Sequence, residues 1–592
     1  MRDLKSLNKY LWRYRGKLTL GVIFVILSNL FAVIQPKMIS QALDLVLQDI
    51  QAIQRADGFE IKAEIISNLS YNLLTYGILV IVFALLMGIF MYFTRQTIIV
   101  VSRLIEYDLR KDIYTHYSSL SQNFYRKSRI GDLMNRIMED VSKVRMYLGP
   151  AILYGINLVS LTVLVVASMI EVSPQLSLYT LIPLPFLSVS IYYVSSLIHK
   201  KSTVIQQQLS MLTSLAQETY SGIRVVKSFV KEDQMSGYFA DNCEDYKKKS
   251  MGLVQVNALF FPLMMLIVGL STIAVVYFGG LQINNGSISA GILVEFIIYV
   301  SMLTWPVTSM GWIASIVQQA AASQRRIDEF FEQKPVILNG SQKNIKFEES
   351  IEFRNVSFVY PDTGIKALDN VSFTIPKGSK VAIIGKTGSG KTTIAEMILR
   401  TFDPTTGAVL IDGKDLKELD LDEWREMIGY VPQDNFLFSD TIENNIKFGK
   451  DNATEEEIRE AAAKSMIHRE ISELPNGYLT RIGERGVSLS GGQKQRTSIA
   501  RALIKMPKII ILDDALSAVD ASTDQEISSM LEKELAGRTL FNITHRLNPN
   551  THYDQIVVLH HGHVAAIGNH ESLYYSNKFY RHLIDHAALE SI

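Results

Sequence analysis

The residues with the plainest chemical meaning are Gly385, Lys386, Thr387, Gly388, Ser389, Gly390, Lys391 and Thr392, a G-x-x-x-x-G-K-T string followed directly by Thr393. The apolar run Val381-Ala382-Ile383-Ile384 precedes it, and a helical apolar pattern of Ile394, Met397 and Ile398 follows. The string thus occupies the strand-to-helix turn that a phosphate-cradling loop needs. Gly385, Gly388 and Gly390 let backbone N–H groups come close to a phosphate that side chains would otherwise block. Lys391 supplies a point charge for the β- and γ-phosphates, and the Thr392 hydroxyl suits Mg²⁺. A glycine-rich turn that merely opens a helix is the plainer reading, but a match at every position in this context points to ATP and Mg²⁺ as ligands.

At 592 residues the chain is too long for one core. Lys plus Arg and Asp plus Glu balance at 59 each, so no nucleic-acid partner is expected. The first half holds long uncharged spans at Ile65–Thr94, Met146–Ile170, Val172–Ile198, Ser250–Val294 and Phe296–Gln324. Each exceeds the ~20 residues that cross a ~30 Å hydrocarbon layer as a helix. With Leu18–Ile34 they predict six crossings, about 18–38, 71–93, 150–170, 174–198, 253–279 and 288–315. A multi-pass membrane protein without a cleaved leader is expected. The single Cys243 can form no internal disulfide.

The elements that position the loop follow in order. Residues 1–17 mix Arg2, Lys5, Lys9, Arg13, Arg15 and Lys17 with Leu4, Leu7, Leu11 and Trp12, which predicts a basic amphipathic helix on the membrane surface. The connections 95–149 and 199–251 are rich in Lys and Arg, whereas 41–64 is acidic, so the two basic connections and both chain ends are placed in the cytosol of a cell bounded by its inner (cytoplasmic) membrane. Each basic connection keeps helical periodicity and reads as two helical arms meeting at a tip, Ser119–Tyr125 and Glu218–Val226. Pro183, Pro185, Pro262 and Pro306 are expected to kink their helices, and Met264 and Met265 suit packing or an adaptable wall. The domains expected are therefore an elbow at 1–17, a six-helix transmembrane domain at 18–325, a polar linker at 326–350 and an α/β ATPase domain at 351–592.

A second string, Leu489-Ser490-Gly491-Gly492-Gln493, places a Ser-Gly-Gly turn at a helix N-terminus, where N–H groups can meet an anion. With the P-loop, this makes the chain resemble a half-transporter of the ATP-binding cassette family, of the type I exporter kind, over essentially its whole length. The resemblance implies that Ser490, Gly491, Gly492 and Gln493 grip ATP bound to a partner cassette, so that two half-transporter chains act together. It implies further that Tyr360 stacks on adenine, that Gln433 reaches Mg²⁺, that Asp513 binds Mg²⁺, that Asp520 contacts the opposite cassette, that His545 holds the γ-phosphate, and that Thr480–Gly486 touches the stalk tips. One position departs from the family pattern: Asp514 stands where most members carry the Glu that orients the attacking water. Asp is a methylene shorter, so this site is expected to hydrolyse ATP slowly, and the intact signature then favours a heterodimer over a homodimer in which Asp514 suffices.

Within the crossings Glu295 is the one unambiguous carboxylate, and an ionisable group at that depth is a candidate for lining a substrate cavity or, if the helix starts later, for the interface. His560, His561, His563 and His570 could suggest a metal site, but His560–His563 flank Gly562 and read as a solvated hairpin turn instead. The function implied is ATP-driven export of hydrophobic or amphipathic molecules, drug-like or lipid, by alternating access. A peptide exporter would favour a peptidase domain ahead of the first crossing, and a nucleotide-gated channel a long regulatory insertion.

Overall fold

The computed structural model describes residues 3–589 apart from 484–485, 487–488, 516–525, 528, 531–536, 546 and 548–550. The chain divides into two compact units, Met1–Tyr117 with Gly131–Glu332, and Ser118–Ile130 with Gln333–Ile592.

The first unit is helical. Long runs span α1 (Arg15–Arg55), α2 (Phe59–Ser119), α3 (Ile130–Val172), α4 (Pro183–Ser221), α5 (Glu232–Asn284) and α6 (Ala290–Phe331). Among the described residues five of them, α1, α2, α3, α5 and α6, are long and apolar enough to cross a membrane. The remaining expected crossing, about 174–198, is helical in two pieces, Pro174–Leu181 and α4, divided at Ile182 where Pro183 opens the second. Pro262 and Pro306 instead lie inside unbroken helices. Runs of this length outreach a bilayer: the 61 residues of α2 correspond to about 90 Å of helix. The arms predicted from the basic connections are these continuations, and they end where expected, with short helices at Gln122–Lys127 and Ile223–Ser228.

Apolar faces of α1, α3, α5 and α6 meet in a core of Val33, Val165, Met169, Val275, Phe296 and Leu303. Asp44 near the end of α1 fixes the start of α6, accepting from Gly291 N–H at 2.7 Å and Ser289 Oγ at 2.5 Å.

Two features add to what the sequence predicts. The basic segment 1–17 is helical at Asn8–Arg13, but Leu4, Leu7 and Tyr10 are buried against protein, while Trp12 is exposed. Arg13 pairs with Asp108 at 2.8 Å and Lys9 with Asp112 at 3.5 Å, so its charges find carboxylates on α2. The helical domain also runs past residue 325 to Phe331, because Ile327 and Phe330 continue the buried stripe one turn further.

The second unit is α/β. Strands β1 (Ser350–Val359), β2 (Lys366–Pro376), β4 (Thr406–Ile411) and β5 (Lys414–Asp415) form an antiparallel sheet in the order β2-β1-β4-β5. A six-stranded sheet runs β10-β9-β3-β8-β7-β6, with β3 (Lys380–Gly385), β6 (Ile428–Val431), β7 (Ile509–Asp513), β8 (Thr539–Thr544) and β9 (Gln555–His560) parallel and β10 (His563–Gly568) antiparallel at the edge. The turn between β9 and β10 is the predicted histidine hairpin, with His561 and Gly562 both at positive φ. A smaller helical core of Leu437, Ile446, Ile458, Ile471 and Ala500 supports the signature helix α8 (Gly491–Leu503).

Candidate functional site: the nucleotide-binding cassette

Strand β3 lies between β8 and β9, with Val381 to Ile384 fully buried, so the sheet delivers Gly385 at its C-terminal edge. The loop then turns through Gly388 and Gly390, at φ +80° and +97°, into helix α7 (Lys391–Ile398). A Cβ at Gly390 would sit 2.4 Å from the Ala367 carbonyl, and one at Gly385 2.4 Å from that of Leu559, so both positions need glycine. Lys391 Nζ donates to the carbonyls of Gly385 and Lys386 at 2.9 and 3.0 Å, which bends its side chain over the loop. Lys386, Thr387 and Gly388 are exposed, whereas Ser389 and Thr393 are buried. The Ser389 hydroxyl has no hydrogen-bond partner among the described residues.

Strand β7 brings Asp513 to the same edge, where its Oδ1 accepts from Thr392 Oγ1 at 3.2 Å. Its Oδ2 is buried without a hydrogen-bond partner among the described residues. Burial pushes the Asp513 carboxyl up to about 6 and pulls the Lys391 ammonium down, so each buried group is biased toward its neutral form. Asp514 follows in left-handed conformation at φ 51°, and His545, after β8, lies across from it with Nδ1 at 2.9 Å from Oδ1 and 3.1 Å from Oδ2. Gln433 is exposed just beyond β6.

The structure therefore gathers the P-loop, Asp513, Asp514 and His545 at one sheet edge. Ser490 caps α8, accepting from Gln493 N–H at 3.2 Å, while Gln493 Oε1 accepts from Ser490 N–H at 3.0 Å. Gln493 also donates to Glu470 at 2.8 Å. These side chains thus shape the turn and present Gly491 and Gly492 at the helix start. Asp520, with Ser517 to Val519, lies outside the described residues, as do Glu484 and Arg485 of the Thr480–Gly486 stretch.

Tyr360, just after β1, is fixed through its hydroxyl, which donates to Glu396 at 2.6 Å and lies 2.9 Å from Thr393 Oγ1. Burial and the Glu396 carboxylate push it up to about 12, and burial also raises Glu396. Arg126, not singled out from the sequence, belongs to this same unit: its guanidinium carbon stands 4.3 Å from the Tyr360 ring centroid and its Nε pairs with Asp362 at 3.2 Å. Only its place in the basic connection 95–149 marked it in the sequence.

In the first unit Glu295 is 2% exposed, and its Oε1 accepts from Tyr299 at 2.9 Å. Tyr299 also contacts the Val33 carbonyl at 3.3 Å, so packing encloses the carboxylate among α1 and α6.

A glycine-rich loop between a buried strand and a helix, on a chain that also carries membrane-length helices, is the arrangement of a membrane-embedded ATPase. Residues 18–307 match the family model of the ABC transporter transmembrane region, and residues 368–517 match the ABC transporter family model. The chain is 34% identical to a probable multidrug resistance ABC transporter ATP-binding/permease protein, YheI, of Bacillus subtilis, over 98% of this chain and 96% of that one. It is 37% identical to the multidrug resistance-like ATP-binding protein MdlA of Escherichia coli, over 82% of each, and 36% identical to an ATP-dependent lipid A-core flippase of Syntrophus aciditrophicus, over 81% of this chain and 80% of the other. The chain belongs to the ABC transporter family, with membrane domain and ATPase fused. It is a multi-pass membrane protein that binds ATP, couples its hydrolysis to transport, and acts as a dimer of half-transporters.

Proposed function

We propose that this chain exports hydrophobic or amphipathic molecules, drug-like compounds or lipids, across the cytoplasmic membrane, with both termini and the ATPase domain in the cytosol. The observation that carries the reading is the joining of membrane-length helices to a complete P-loop and signature in one chain, supported by relatives whose names describe multidrug resistance and lipid A-core flipping. In this reading the N–H groups of Gly388 to Lys391 cradle the phosphates, Lys391 leaves its carbonyl partners for them, and His545 holds the γ-phosphate while Asp514 orients water. The buried, unpartnered Asp513 Oδ2 beside Thr392 fits a divalent cation, and Gln433 is the exposed group nearby in sequence pattern to complete its set. Mg²⁺ bound there would neutralise phosphate charge as the γ-phosphoryl group leaves.

The dimer is proposed to be a heterodimer. Asp514 is the shorter acid and its carboxylate is engaged by its own His545, while the signature is complete and serves the partner's ATP. Glu295 with Tyr299 is proposed as a polar pair bearing on cargo choice. The reading is tested in proteoliposomes with labelled amphiphiles and lipids. ATP-dependent vectorial uptake with cargo-stimulated ATPase is expected; an ATP-gated conductance with no accumulation would overturn it.

A further inference from the structure

Arg126 sits in the tip that joins α2 to α3, and its own unit places its guanidinium over the ring of Tyr360, 4.3 Å from the centroid, with Phe402 at 5.8 Å. The ring cannot swing aside, because its hydroxyl is tied to Glu396 and Thr393 and the rings of Phe358 and Phe402 stand nearly perpendicular to it at 4.8 and 5.7 Å. Asp362, two residues along the chain, holds Arg126 in place. A base stacked on an aromatic ring takes a plane at van der Waals distance, about 3.5 Å, so a base and a guanidinium together on one face would need about twice that.

We propose that Arg126 and the adenine of ATP compete for one face of Tyr360, so that seating the base displaces the Arg126 guanidinium from the ring. This rests on the reading of Tyr360 as the adenine's stacking partner. The competition makes Arg126 a negative determinant of base affinity. A ligand shifts a conformation only by its differential affinity, and here the differential is the cation–π and ion-pair contact that the base must displace. The phosphates are held elsewhere, by the loop at Gly385 to Thr392, so a ligand without a base leaves the contact intact.

The test measures calorimetric affinities of the full-length chain in lipid nanodiscs for ATP and for inorganic tripolyphosphate, each with Mg²⁺, and reads their ratio. Taking the ratio cancels any general loss of positive charge or of folded protein. Arg126→Ala is expected to raise the preference for ATP over tripolyphosphate about three- to thirtyfold, the scale of a partly shielded cation–π contact. Arg126→Gln, which keeps a planar hydrogen-bonding side chain, should move it in the same direction. On a Tyr360→Leu background neither change should alter the ratio. Tyr360→Leu alone should lower the preference for ATP; if it does not, the base does not stack there and the underlying reading fails. If Tyr360→Leu does lower it, while Arg126→Ala and Arg126→Gln leave the ratio unchanged or lower it, Arg126 clamps the base or ignores it, and the competition is overturned.

Discussion

Lys391 and Asp513 show at residue scale how one burial acts in two directions. Desolvation lowers the proton affinity of the ammonium and raises that of the carboxyl, to about 6, so burial makes each charge costlier to hold until counter-charges arrive. Nearby Asp514 and Asp513 act on Lys391 in the opposite sense but do not outweigh burial. In the proposed reading a triphosphate would supply Lys391 with the acceptors it now finds in two backbone carbonyls. Lys391→Ala is therefore expected to weaken ATP binding by about tenfold or more, the scale of one charge-assisted hydrogen bond, and direct binding to the purified chain checks it. Unchanged affinity would remove this loop as the phosphate site. Glu295 presents a different balance, since its carboxylate is enclosed and held by Tyr299. Glu295→Gln keeps an acceptor for that hydroxyl while deleting the charge, so folding and basal ATPase should persist while the relative transport of cationic and neutral cargo shifts. Indistinguishable cargo profiles would make the pair purely structural.

At the scale of elements, helices that outreach the bilayer become levers only if their tips meet something rigid. The two tips are short helices at Gln122–Lys127 and Ile223–Ser228, bounded by breaks in α2–α3 and α4–α5. Within the second unit Ser121 Oγ accepts from the N–H groups of Val336 and Ile337 at 2.9 and 3.0 Å, so the first tip is tied to the start of the cassette. Tyr125 packs edge-on to Phe124 beside these contacts. Tyr125→Ala, or Val226→Asp in the second tip, is expected to preserve expression and ATPase while vectorial transport falls, because coupling needs contact between two rigid elements. Parallel assays of ATP turnover and cargo uptake decide it, and proportional loss of both would count against a coupling role.

For the whole molecule the decisive question is what stands opposite. Asp514 differs from the family's usual Glu by one methylene, about an ångström of reach, and displacement of that order can cost ~10²-fold in rate. Its hydrogen bond with His545 keeps the carboxylate turned toward that ring. A partner chain with Glu at the matching position would supply the brisk site, using this chain's signature. The chain alone is therefore expected to show low ATPase, the co-expressed pair brisk ATPase, and Asp514→Asn little further loss in the pair. Fast hydrolysis by the isolated chain, abolished by Asp514→Asn, would instead establish a homodimer in which Asp514 is the working base.

What the amino-acid sequence determined by itself is whatever local chemistry constrains. The P-loop was readable because its demands are contiguous: a buried strand, glycines where Ala367 and Leu559 crowd the backbone, then a helix. The membrane helices followed from runs of uncharged residues, and the histidine hairpin from Gly562 beside β-type sequence, since each depends on neighbours a few residues away. The tertiary structure decided the rest, where the partner is distant along the chain. Period and composition show that residues 1–17 are basic and amphipathic, but not that Asp108 and Asp112 would take their charges and bury Tyr10. They mark Glu295 as costly, but not that Tyr299 and packing would enclose it. Nor do they join Arg126 to Tyr360, because a cation over a ring carries no sequence period: the contact exists only once segment 118–130 and strand β1 fold into one unit.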